Sequence, residues 1–159
     1  FKIEQDDVNF KKYKNQFLFE YKLNLSKNSR LFDGMKSLIQ YLDNNSIMYG
    51  VVTNKYFEYA EPIIKSFKEL RNLKVIICPD HVSISKPNPE GILLACKKLD
   101  VAPDNTIYLG DHLNDLIAGQ AAGTKVLGCL YGYSLDEKIL KSHGYTYVNN
   151  VSEIISHID

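Results

Sequence analysis

Three short runs of this 159-residue chain put hydrogen-bonding and ionisable side chains directly after apolar stretches. In Val51-Val52-Thr53-Asn54-Lys55 the apolar run ends in a hydroxyl and an amide, which together with nearby backbone N–H groups can donate to a phosphate. The same pair also suits a turn in which Asn54 or a neighbour caps the next helix. In Ser85-Lys86-Pro87-Asn88-Pro89 two prolines restrict the backbone that follows a lysine. Such a lysine either presents a point charge to an anion or stays solvated in an ordinary loop. In Tyr108-Leu109-Gly110-Asp111-His112-Leu113-Asn114-Asp115 a glycine and an aspartate close an apolar run, and a second carboxylate follows where a helix begins. A helix N-terminus favours one carboxylate, but two at a strand end repel each other unless a cation offsets them. A hard divalent ion such as Mg2+ takes oxygen ligands and keeps waters that a phosphate can replace. Asp111 and Asp115 are therefore candidate metal ligands. The alternative is a glycine turn and a capped helix, with Asp115 exposed in its first turn. His112 reads as a loop side chain, because Mg2+ prefers oxygen donors.

The elements that position these residues follow from the hydrophobic pattern. From residue 32 onward, short runs rich in Val, Ile, Leu and Tyr alternate with helical segments. That alternation predicts an α/β fold, a Rossmann-like parallel sheet covered by helices on both faces. Strands are expected at 48–53, 74–78, 106–109, 125–130 and 145–148, and helices at 34–44, 57–70, 90–99, 114–122, 135–142 and 151–158. Ligands bind such sheets beyond the carboxyl ends of the strands, which is where the polar runs fall. Upstream, Val8, Tyr13, Phe17 and Tyr21 recur at helical spacing with lysines between them, predicting an amphipathic helix over 6–23 and a polar connector after it.

Composition narrows the partner. Nineteen basic and nineteen acidic residues cancel to a net charge of zero, which argues against a general nucleic-acid or membrane-surface binder and favours a small molecule. No apolar stretch is long enough to span a bilayer, and Phe1 to Asp7 is too charged for the core of a secretory signal, so a cytoplasmic protein is expected. Cys78, Cys96 and Cys129 lack C-x-x-C spacing and read as reduced core thiols.

Taken together, Thr53, Lys86 and the Asp111/Asp115 pair resemble three of the four signature motifs of the haloacid dehalogenase-like hydrolases: a Thr or Ser after the second strand, a Lys before a Pro, and a G-D-x-x-x-D run. The resemblance extends from Leu31 through the rest of the chain. It is closest to the phosphoglycolate phosphatase-like branch, through the 108–115 run, Ala121-Ala122-Gly123 and Tyr131-Gly132-Tyr133. It implies a Mg2+-dependent phosphatase acting on a small phosphorylated metabolite, phosphoglycolate-like or a sugar phosphate, through a phospho-aspartyl intermediate. By the same resemblance Thr53 and Asn54 bind phosphoryl oxygens and Lys86 balances charge on the phosphate. Asp111 would then hold Mg2+ directly, and Asp115 directly or through water. Residues 1–25 would be the end of a helical cap, 26–31 a connector and 32–159 the hydrolase core.

One motif of that family is absent. Its D-x-D strand supplies the aspartate nucleophile, and this chain contains no D-x-D. Asp6 and Asp7 are adjacent and follow no strand, and Asp33 follows a polar connector. The resemblance therefore places the nucleophile upstream of Phe1, on a central strand between the strand ending at Thr53 and the one ending at Leu109. The chain is expected to be inactive alone, with that upstream segment or another chain completing the sheet. Two other readings stay open. One is a noncatalytic phosphate- or metal-binding protein of the same fold. The other is a receiver-like signalling domain, against which the order of Thr53 and Lys86 before Asp111 counts. The prolines are expected to fix the Lys86 loop without help from the side chain, so that Lys86→Met leaves the melting temperature near wild type.

Overall fold

The computed structural model describes residues 8–158; Asp6, Asp7 and the start of the helix expected at 6–23 lie outside them. The chain divides into two compact units, Phe1–Arg30 and Leu31–Asp159. The first contains α1 (Val8–Asn24), whose end is tied by Asn24 Nδ2 donating to Glu20 O at 2.8 Å. Its aromatic residues do not form one buried stripe. Phe17 and Phe19, on opposite sides of a helix, are 67% and 61% exposed, and Tyr13 and Leu23 are exposed too. The amphipathic expectation is thus corrected: Tyr13, Phe17, Phe19 and Leu23 are exposed on more than one side of α1, while Phe10, Leu18 and Tyr21 are half-buried. Phe17 and Tyr21 stack on each other, with ring centroids 6.2 Å apart.

The second unit alternates helix and strand as the pattern predicts: α2 (Met35–Asn44), β1 (Gly50–Val52), α3 (Phe57–Ser66), β2 (Val75–Ile77), α4 (Glu90–Leu99), β3 (Ile107–Gly110), α5 (Leu113–Ala121), β4 (Lys125–Cys129), α6 (Glu137–His143) and β5 (Tyr147–Val148). The helix expected over 57–70 ends at Ser66, because Phe67 turns to an extended conformation and a 3-10 turn, Lys68–Asn72, follows. The segment expected as a helix at 151–158 is a 3-10 helix, Val151–His157. Its first turn is drawn tight by local bonds: Asn150 Oδ1 accepts from Ser152 N, and the Glu153 carboxylate accepts from Asn149 N and Asn150 Nδ2.

All strand pairs are parallel, but they form two pieces, β1–β2 and β3–β4–β5. Among the described residues no strand is hydrogen-bonded to the other edge of β1 or of β3. Backbone direction alternates along a strand, so the facing groups can be identified. Thr53 N donates to Ile77 O at 2.9 Å and Lys74 N donates to Tyr49 O at 3.0 Å, which turns the intervening Val52 carbonyl away from β2. Likewise Lys125 N donates to Thr106 O at 2.9 Å, so the backbone groups of Ile107 and Leu109 point away from β4.

Helices cover both faces, and β3 shows why its residues alternate in environment. Leu109 packs with Leu38 of α2, Cys129, Val148, Val151 and Ile154 on one face. On the other, Tyr108 packs with Ile92 and Cys96 of α4 and with Ala118 and Ala122 at α5. Val52 also joins Val75, Ile77 and Ala95 in a third cluster under α4. The three cysteines are buried and unpaired. Among the described residues no helix is long and apolar enough to cross a membrane.

Candidate active site

β1 and β3 run parallel to their partners; Thr53 and Asn54 follow the carboxyl end of β1 and Asp111 that of β3, whereas Lys86 lies in the loop between β2 and α4 and Asp115 in the first turn of α5. Thr53 leaves β1 and its Oγ1 accepts from Lys55 N at 3.1 Å, forming a tight turn whose hydroxyl proton can still be donated. Asn54 does not cap α3. Its Nδ2 donates to the backbone carbonyl of Lys86 at 3.0 Å, joining the loop after β1 to the lysine loop. The N-terminus of α3 is served from elsewhere, with Phe57 N donating to Asp80 Oδ2 at 2.8 Å.

The lysine loop is pinned by two side chains that the sequence reading did not single out. Asn88 Oδ1 accepts from Glu90 N at 2.9 Å. The Glu90 carboxylate accepts from Ser83 N at 2.9 Å and from Ile84 N at 3.0 Å. These backbone donors hold the Glu90 carboxyl below its ordinary pKa of 4.5. A glutamate at the first turn of a helix is a signal available in the sequence. That it reaches back to Ser83 is a tertiary fact.

Lys86 is not solvated. Its side chain is 10% exposed, and Nζ donates to Val52 O at 2.7 Å, to Asp115 Oδ1 at 2.8 Å and to Tyr108 Oη at 3.0 Å. Burial pulls its pKa down, but the Tyr108 oxygen and the Asp115 carboxylate outweigh that and hold it above its ordinary value of 10.5. Tyr108 also donates to Val52 O at 3.3 Å, and burial raises its own pKa despite the opposing pull of the ammonium.

Asp115 turns out to have two roles. It is the N3 residue of a capping box on α5, the fourth counting from the N-cap His112: Oδ2 accepts from His112 N at 3.1 Å, while His112 Nδ1 accepts from Asn114 N at 3.1 Å. Its other oxygen faces Lys86, and the side chain is only 13% exposed, so it is not the exposed first-turn residue of the alternative reading. His112, expected as a loop side chain, is the N-cap residue, a role legible in the spacing His112-x-x-Asp115. Close backbone approach explains two glycines. A Cβ on Gly110 would overlap the Asp115 side chain, and one on Gly132 would overlap Asp111. The next residue completes the second contact, as Tyr133 N donates to Asp111 Oδ2 at 3.0 Å.

The lysine and threonine runs therefore meet Asp115 at one sheet edge, and Asp111 stands at the end of β3 against the loop after β4. Asp111 and Asp115 offer hard oxygen donors of the kind Mg2+ takes, but among the described residues no group of three or more His, Cys, Asp or Glu gathers as a metal site. Of their oxygens, Asp111 Oδ2 accepts from Tyr133 N, and both of Asp115 accept, one from Lys86 Nζ and one from His112 N. Between Thr53, Asn54, Cys78 and Lys86 the cleft encloses only about 10 Å3, room for roughly one water. A broader depression of about 500 Å3 beside α4, lined by His81, Leu93 and Lys97 among others, contains none of the predicted site residues. Cys129, at the end of β4, is buried in the core, and burial raises its thiol pKa.

Comparison with known proteins places this arrangement. The chain is 37% identical over 133 residues to an N-acetylmuramic acid 6-phosphate phosphatase of Pseudomonas putida, covering 84% of this chain and 60% of that protein. It is 28% identical over 150 residues to a phosphoglycolate phosphatase of Haemophilus influenzae, covering 94% and 67%. The chain thus spans about three fifths to two thirds of the length of these curated relatives. A crystal structure of a predicted phosphoglycolate phosphatase from Haemophilus somnus superposes with a TM-score of 0.87 at 28% identity, over 98% of this chain and 69% of that one. Residues 1–129 match the family described as haloacid dehalogenase-like hydrolase. By that match and these relatives, this chain belongs to the haloacid dehalogenase-like hydrolase family.

Proposed function

We propose that this chain forms most of the core of a Mg2+-dependent phosphatase that hydrolyses a small phosphomonoester through a phospho-aspartyl intermediate, with the nucleophilic aspartate upstream of Phe1. The observation that carries the reading is the Lys86 ammonium, which joins the end of β1 at Val52 O to Asp115 of α5 while Asn54 grips the Lys86 carbonyl. An amide, a cation and one carboxylate are thereby joined, with Thr53 just past β1 and Asp111 just past β3. In this reading Thr53 and Asn54 donate to the phosphoryl oxygens, and Lys86 neutralises negative charge on the phosphate and the nucleophile. Asp111 and Asp115 would hold Mg2+, which supplies charge neutralisation to the phosphate when bound.

The two unpaired strand edges support a nucleophile-bearing strand between β1 and β3, since the Val52 carbonyl and the backbone of Ile107 and Leu109 point into that position. Residues 1–25 would be the end of a helical cap, 26–31 a connector and 32–159 the core. The substrate is a small phosphorylated metabolite, with sugar phosphates and phosphoglycolate as the two classes that the relatives' names suggest. The test compares the 159-residue chain with the protein extended by its native upstream segment. The extended protein should hydrolyse phosphomonoesters in an EDTA-sensitive reaction, and Asp111→Asn should abolish turnover and weaken Mg2+ binding in calorimetry. EDTA-sensitive turnover by the 159-residue chain alone, as a monomer, would overturn the placement of the nucleophile.

A further inference from the structure

An ammonium has three N–H donors, and at Lys86 each has a different acceptor: Val52 O, Asp115 Oδ1 and Tyr108 Oη. Two of these are side-chain groups fixed by their own surroundings. Asp115 is locked in the capping box of α5 through its second oxygen. Tyr108 is wedged by its ring against Ile92, Cys96, Ala118 and Ala122, which leaves the hydroxyl at a set height beneath the lysine. The third acceptor differs in kind. The Val52 carbonyl points away from β2, toward the edge where a neighbouring strand would bring a backbone N–H of its own.

We propose that Tyr108 is a positioning residue for Lys86: with Asp115 it fixes two of the three ammonium donors, so that the third can be directed at an anion. The assignment rests on the phosphatase reading, because it needs Lys86 to meet a phosphate. A lysine side chain has a flexible four-carbon stem, and Pro87 and Pro89 restrict only the backbone. Without fixed acceptors the ammonium would sample several directions, and a charge aimed at the transferring phosphoryl group acts only from the right place. Tyr108 suits this task because its phenol presents an acceptor to the lysine while its proton goes to Val52 O at 3.3 Å.

The test is Tyr108→Phe in the protein extended by its native upstream segment. Phenylalanine keeps the ring packing and removes the hydroxyl. The expected result is a fall in kcat of about tenfold, the worth of one oriented hydrogen bond, with KM within about twofold and little change in melting temperature. Thermal denaturation of Tyr108→Phe, Lys86→Met and the double variant should show coupling, the double variant losing less than the sum of the two. Unchanged kcat, additive stability effects, or a kcat loss that merely follows a large drop in melting temperature would each overturn the role of Tyr108. Absence of Mg2+-dependent turnover in the wild-type extended protein is a separate outcome, and it defeats the phosphatase reading and with it this assignment.

Discussion

Lys86 Nζ lies 2.8 Å from Asp115 Oδ1, and neither side chain is more than 13% exposed. The ion pair joins a loop that follows β2 to the first turn of α5, across two sheet pieces that share no strand pairing. Partly buried pairs of this kind contribute little net stability, but breaking one leaves the surviving charge without a partner.

That relationship changes what removal of Lys86 should do. The prolines alone suggest that Lys86→Met would leave the melting temperature near wild type. The structure instead predicts a loss of about 1–3 kcal/mol, because Asp115 keeps a charge and Val52 O loses a donor. Adding Asp115→Asn to Lys86→Met removes the stranded charge and should recover part of the loss. Thermal denaturation of the single and double variants measures both, and a Lys86→Met variant as stable as wild type would contradict the prediction.

The two close-approach glycines should be intolerant of a methyl group. Gly110→Ala would push Asp115 away from the start of α5, and Gly132→Ala would push Asp111. Overpacking of this kind costs about 1–3 kcal/mol where the neighbour is held by backbone. Both variants should melt lower than wild type, and crystal structures should show the displaced aspartate.

Glu90 gives the lysine loop an acid sensitivity whose sign is fixed. Ser83 N and Ile84 N hold its carboxyl below the ordinary value of 4.5. A depressed carboxylate pKa means that its stabilisation is fully present above the unfolded value and is lost as pH falls through the lower, folded value. Glu90→Gln should therefore speed amide hydrogen exchange at Ser83 and Ile84 at neutral pH, and the difference from wild type should shrink as the pH is lowered. Equal exchange in the two proteins at neutral pH would show that Glu90 does not pin the loop.

Local chemistry in the sequence determined much of this protein. The alternation of short β-branched runs with helical segments was enough to specify α/β class, and α4 begins and ends at the residues its pattern marks, Glu90 and Leu99. The placement of Thr53 and Asp111 just past strand ends was legible too, because an apolar run that stops at polar residues shows where a buried strand emerges. Tertiary structure decided which of these residues touch. Lys86 and Asp115 are far apart in the chain, and no local pattern tells a solvated lysine from one enclosed by Val52, Asp115 and Tyr108. The exposed apolar residues of α1 were likewise unreadable as such, since periodicity reports where apolar side chains lie on a helix and only packing decides whether they are covered. The same holds for Gly110 and Gly132. A glycine in a sequence permits close approach, and only the folded chain shows that two aspartates occupy the space a Cβ would need.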